Sequence, residues 1–188
     1  MEICRYSRAR RIGHTSGFTL LELIITLSVA AILLTIVVPA FAQLLAGTRI
    51  TTAVNELLSV IHLTRSEAIK RHARATLCPS DNGISCANTA VWEHGWIAFV
   101  DSDSDRELDS DEVVLQLHAG FGNQLTIRSG SRTRIIFRPD GIAVGGLTGT
   151  YTFCHSSDAA PPKALILSNP GRARVSLTRS GGGALACP

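Results

Sequence analysis

Past its seventeenth residue this 188-residue chain has no net charge. Its formal +3 comes wholly from residues 1–17, where Arg5, Arg8, Arg10 and Arg11 outnumber Glu2, and the rest balances at 14 against 14. No general basic field exists to coat nucleic acid. Charge of either sign is missing altogether from Leu23 to Thr48, a run of 26 residues. A bilayer needs about 20 mostly apolar helical residues, so a purely soluble chain is not expected. Also missing are the paired CxxC spacing of a zinc site and any repeat with a period of about 20 to 50 residues. The six histidines are scattered, and no Ser, His and Asp or Cys and His arrangement supports nucleophilic catalysis. An enzyme is not expected.

What is present begins with cysteine. Cys4 lies in the basic leader, which leaves Cys78, Cys86, Cys154 and Cys187 as an even set suited to two disulfides in an oxidising compartment. Three pairings are open. The seven-residue gap between Cys78 and Cys86, and the terminal position of Cys187, favour Cys78 with Cys86 and Cys154 with Cys187. Beyond residue 48 there remain 140 residues, enough for one domain with its own core.

The apolar run from Phe18 has three readings. It could be a secretory signal with a small-residue cleavage site at Ala40-Phe41-Ala42, a plain anchor, or something more specific. It is longer than the about 7 to 15 residues of a signal core. It also carries Glu22 near its start, and a carboxylate in a span needs an interfacial position or a partner.

The segment Gly17-Phe18-Thr19-Leu20-Leu21-Glu22-Leu23 resembles the type IV prepilin cleavage motif. The resemblance implies that prepilin peptidase removes the leader, residues 1–17, between Gly17 and Phe18 and N-methylates Phe18. It further implies that Glu22 pairs with the terminal ammonium of a neighbouring pilin during filament assembly, which would supply its partner. Pro39 falls where pilins often carry a helix-kinking proline; a simple structural kink accounts for it equally. Arginines ahead of the span place the leader in the cytoplasm and the domain beyond the inner membrane, in the periplasm, as a single-pass protein.

Residues 18–48 are expected to form the transmembrane and filament-core half of a long helix. Ile50, Val54, Leu57, Leu58 and Ile61 then recur at three- and four-residue intervals, which extends the helix, now amphipathic, over 49–71. The stripe suits either the chain's own sheet or a coiled-coil partner, and the strand-rich remainder favours the sheet. Eight short β-prone runs follow in 75–188: 75–78, 96–100, 112–117, 124–127, 134–137, 151–155, 164–167 and 172–178. One helix followed by eight strands predicts an α+β domain with a largely antiparallel sheet, and Trp92 and Trp96 belong in its core. Cys78-Pro79, Cys86, Trp92, Gly95-Trp96, the Phe99–Asp101 strand end, Arg138-Pro139-Asp140-Gly141 and Gly171-Arg172-Ala173-Arg174 together resemble the GspH/FimT group of minor pilins and pseudopilins.

Two constellations stand out in the domain. Asp81 to Glu112 holds nine carboxylates against Arg106, and the chain from Phe121 onward holds eight Lys and Arg against Asp140 and Asp158. Asp101, Asp103, Asp105, Glu107, Asp109 and Glu112 fall at positions 1, 3, 5, 7, 9 and 12 of a calcium-loop count. Arg106 stands at position 6, where a sharp turn wants Gly, and no helices flank the loop. A solvated hairpin tip is the plainer reading, and no other cofactor is expected. In the basic part, Asn169-Pro170-Gly171 is a turn between strands. Alternation puts Ala173, Val175 and Leu177 on the core face and Arg172, Arg174, Ser176 and Thr178 in solvent. In FimT-like members the Gly-Arg-x-Arg segment is associated with DNA binding during natural transformation, and the match here is Gly171, Arg172 and Arg174, with Lys163 and Arg179 able to widen the patch. The alternatives are solubilising arginines, or a contact with the acidic loop of a neighbouring subunit. The sequence-based expectation is a type IV minor pilin that contacts the DNA backbone without base readout, or else a type II secretion pseudopilin.

Overall fold

The structure, a computed structural model, describes residues 17–144 and 149–188. Cys4 and the leader arginines lie outside the described residues. The chain divides into two compact units, one ending at Ala40 and one beginning at Phe41. Helix α1, Leu20–Arg71, begins in the first and ends in the second.

In the first unit every described side chain is exposed, and the exposed residues are mostly Leu, Ile, Val and Ala. The few hydroxyls here are satisfied within the helix: Thr26 donates to the Leu23 carbonyl, Ser28 to Ile24 and Thr35 to Ile32 at 2.7–2.9 Å. A helix apolar all round with its polar groups closed on itself fits a lipid or helix-packed environment.

The second unit shows why the helix changes character. Ile50, Ala53, Val54, Leu57, Val60, Ile61, Thr64 and Ala68 form one buried stripe. It packs on two sheets, where the sequence led us to expect one. The first has the order β3-β2-β1-β5, from β1 (Arg74–Pro79), β2 (Trp96–Asp101), β3 (Val114–His118) and β5 (Ile135–Phe137). The second has the order β4-β6-β7-β8, from β4 (Leu125–Arg128), β6 (Gly149–His155), β7 (Lys163–Leu167) and β8 (Ala173–Ser176). Every strand pairing is antiparallel. The sheets share a core that includes Leu77, Trp92, Trp96, Ile127, Phe137, Tyr151, Phe153 and Leu165.

Trp92 and Trp96 are fully buried. Trp92 meets Tyr151 edge-on at 5.2 Å and donates its indole N–H to Ser129 Oγ at 3.0 Å, which fastens the segment before β2 to the second sheet. Trp96 stacks on His118, whose Nε2 lies 3.0 Å from Glu56 of α1. Disulfides join Cys78 to Cys86 and Cys154 to Cys187. Cys78 packs with Ile97 and Phe99 in a small separate cluster, and Leu108 closes over it.

Candidate functional site

The chain entry comes first. Gly17 and Phe18 precede the helix and are exposed, Phe18 at 83%. Thr19 caps α1: its Oγ1 accepts the Glu22 backbone N–H at 3.2 Å, and its carbonyl accepts that of Leu23 at 3.1 Å. Thr19 and Glu22 thus hold the Ncap and N3 positions, with the Thr19 half of a capping box made, and the carboxylate suits the positive end of the helix dipole. The motif residue Glu22 is exposed and has no side-chain partner among the described residues.

Of the basic segment, Arg174 lies on β8, the outer strand of the second sheet, and Arg172 immediately precedes that strand. Leu165 pairs with Val175 and Leu167 with Ala173, so those side chains share the core-facing side; Ile166 pairs with Arg174, which puts Arg174 on the opposite face. Arg172 and Arg174 are exposed. Unlike Arg128, Arg134 and Arg138, which pair with Glu93, Glu107 and Asp140, they have no ion pair among the described residues. Arg179 is also exposed, just past β8.

Three expectations need correcting. Val175 and Leu177 are 45% and 68% exposed, because β8 is a sheet edge and the core cover stops short of it. Lys163 pairs with the buried Phe153, faces the helix side and donates to Thr51 Oγ1 at 2.9 Å, so it does not widen the arginine face. Gly171 is buried with φ +76°, and a Cβ there would lie 2.6 Å from the Gly141 carbonyl; its role is tight packing of the turn.

The fold also gathers residues that local pattern did not. A depression of about 450 Å³ on the second sheet is lined by Arg128, Arg132, Thr150, Thr152, Arg179 and Cys187 among others. These come from separate segments, and the Cys154–Cys187 disulfide holds the last of them in place. No periodicity marks them in the sequence.

The acidic run forms the β2–β3 loop. Carboxylate oxygens of Asp101, Asp103 and Asp105 lie within 4.8 Å of one another. Glu107 instead pairs with Arg134. Glu112 closes the loop, accepting the Ser102 N–H at 2.7 Å and the Asp109 N–H at 3.3 Å. The charge of Asp105, above all, holds the Asp109 carboxyl above its usual range, and burial raises that of Glu112 against the pull of its two N–H donors.

Residues 53–181 match the family of Type II transport protein GspH, and residues 13–38 match the prokaryotic N-terminal methylation motif. Over 167 residues, 85% of this chain and 97% of the relative, the sequence is 28% identical to pilin-like protein PilA1 of Thermus thermophilus. The type IV minor pilin FimU of Pseudomonas aeruginosa shares the fold, with a TM-score of 0.54 at 21% identity over 69% of this chain and 89% of that one. The minor pseudopilin EpsH of the Vibrio cholerae type 2 secretion system gives a TM-score of 0.48 at 8% identity over 67% and 94% of the two chains.

Proposed function

This chain belongs to the GspH family, and from that premise we propose that it is a minor subunit of a type IV pilus whose β8 edge holds DNA by its backbone. Family and methylation motif together make it a pilin-like structural subunit, processed by prepilin peptidase and assembled with other pilins. In the proposed sequence of events the leader stays in the cytoplasm and the domain in the periplasm. Cleavage after Gly17 then frees Phe18 for methylation, and Glu22 meets the new terminal ammonium of a neighbour. The likeness to PilA1, named as pilin-like, supports a pilus.

One observation carries the DNA reading: Arg174 on the edge strand β8 and Arg172 immediately before it stand exposed, two residues apart, without ion-pair partners among the described residues. Extended backbone advances about 6.7 Å over two residues, and two guanidiniums carried at that spacing can each take one backbone phosphate. Two to four contacts make weak binding whose logarithm falls with log salt at about −0.9 per phosphate, with little sequence preference. The test is a mobility shift across a salt series with the full chain in detergent. The variant Arg172→Ala with Arg174→Ala should flatten the slope by about 1.8. Unchanged binding removes the assignment. A type II secretion pseudopilin is the second reading, supported by the family's own description; gene neighbours of the pilus or of the secretion system separate the two.

A further inference from the structure

The β2–β3 loop contains a carboxylate that the protein leaves half satisfied. Asp101, the last residue of β2, is 0% exposed. Its Oδ2 accepts the Thr76 hydroxyl at 2.9 Å, but its buried Oδ1 has no hydrogen-bond partner. A buried carboxylate oxygen without a donor is costly, and here two more carboxylates converge on the same residue, one oxygen each of Asp101, Asp103 and Asp105 lying within 4.8 Å of the others. Three negative groups gathered on one point repel one another unless a cation lies between them.

We propose that Asp101, Asp103 and Asp105 bind a single Ca²⁺, with Glu112 closing the site. Calcium takes its oxygen ligands at about 2.3–2.6 Å, so two ligands of one ion stand no more than about 5.2 Å apart, and the oxygens of the cluster, all within 4.8 Å of one another, meet that limit. The ion supplies what Asp101 Oδ1 lacks. The backbone already makes the required turns: Ser104 and Arg106 adopt φ of +72° and +76°, so the Arg at the sixth loop position does what a Gly would do there. Glu107 contributes no carboxylate, because Arg134 holds it. Glu112, fixed by the Ser102 and Asp109 N–H groups, lies across the loop base. Leu108 anchors the far side of the loop on the Cys78, Ile97 and Phe99 cluster. Calcium therefore ties a loop whose two ends are already held.

The test is calorimetric titration of the chelator-stripped full chain in detergent with CaCl₂, beside Asp103→Asn with Asp105→Asn and beside Asp101→Asn. We expect saturable binding of one ion per chain with a dissociation constant on the order of 0.1–1 mM, as in extracellular calcium modules. The double variant, whose changed side chains are exposed, should lose affinity at least about tenfold while melting in chelator no earlier than the parent. Absence of saturable heat at several times that concentration overturns the site, as does unchanged affinity in the double variant.

Discussion

Arg65, near the end of α1, donates its Nε proton to the carbonyl of Gly141 across 3.0 Å and a sequence distance of 76 residues. Gly171 packs on that same carbonyl, and a Cβ added to it would also meet Arg65 Nε at 3.2 Å. The helix end, the Arg138–Gly141 turn and the turn before β8 are therefore one packed joint. The arginines that follow Gly171 inherit their position from it.

Gly171→Ala should destabilise the domain by about 1–3 kcal/mol, since it forces a methyl onto a backbone carbonyl at positive φ. Denaturant unfolding should show a lower midpoint with an unchanged slope. DNA binding per folded molecule should stay as in the parent. A binding defect without any loss of stability would instead make Gly171 a contact residue.

The cap at Glu22 and its proposed pairing with a neighbour's terminal ammonium are separable. Its backbone N–H completes the Thr19 cap whatever its side chain, and Gln is tolerated at the third helical position of a capping box. Glu22→Gln should therefore leave the helix, membrane insertion and cleavage after Gly17 intact, as read by mass spectrometry of the mature terminus. Recovery of the subunit in sheared filaments should fall sharply, because the charge partner of a neighbouring ammonium is gone. Normal incorporation would remove the assembly role and leave only the backbone cap, which needs no particular side chain.

The two disulfides should contribute unequally. They close spans of 33 residues (Cys154–Cys187) and 8 residues (Cys78–Cys86). Chain-entropy arguments give about 3.7 and about 2.5 kcal/mol respectively. Replacing Cys154 and Cys187 by Ser should also free Arg179 and the other lining residues of the tail from the depression beside Arg128. Melting temperature and salt-dependent DNA binding should drop together in that variant. Replacing Cys78 and Cys86 should lower the melting temperature and leave binding unaltered.

Much of this architecture could be read locally. All eight strands were marked by short β-prone runs between Gly, Pro, Asn and Asp, and β7 and β8 are set around Asn169-Pro170-Gly171 as expected. Lys163 shares parity with Leu165 and Leu167, so strict alternation already placed it on the inner face, away from Arg174. The split into two sheets was not legible. It depends on β5 returning to pair Ile136 with Thr76 across 60 residues, a pairing no local pattern encodes. Neutralisation of Arg128 by Glu93 is likewise a tertiary event, and it narrows the basic half of the chain to the β8 edge.

Asp109 provides a test of charge crowding that is independent of any bound ion. The charge of Asp105 is the main reason its carboxyl is held above the usual range, with Asp103, Asp111 and Glu107 adding to it. The folded state thus binds this proton more readily than the unfolded chain. Ionised Asp109 opposes folding at neutral pH, and that opposition is relieved as pH falls through the raised value. In the presence of chelator, Asp109→Asn should raise the melting temperature at pH 7. The gain should shrink as pH drops below about 4, where the carboxyl is protonated in both states. High salt should diminish it as well, because the group is exposed and its neighbours are screened. A gain of equal size at both pH values would show that the amide acts through a new hydrogen bond, with repulsion playing no part.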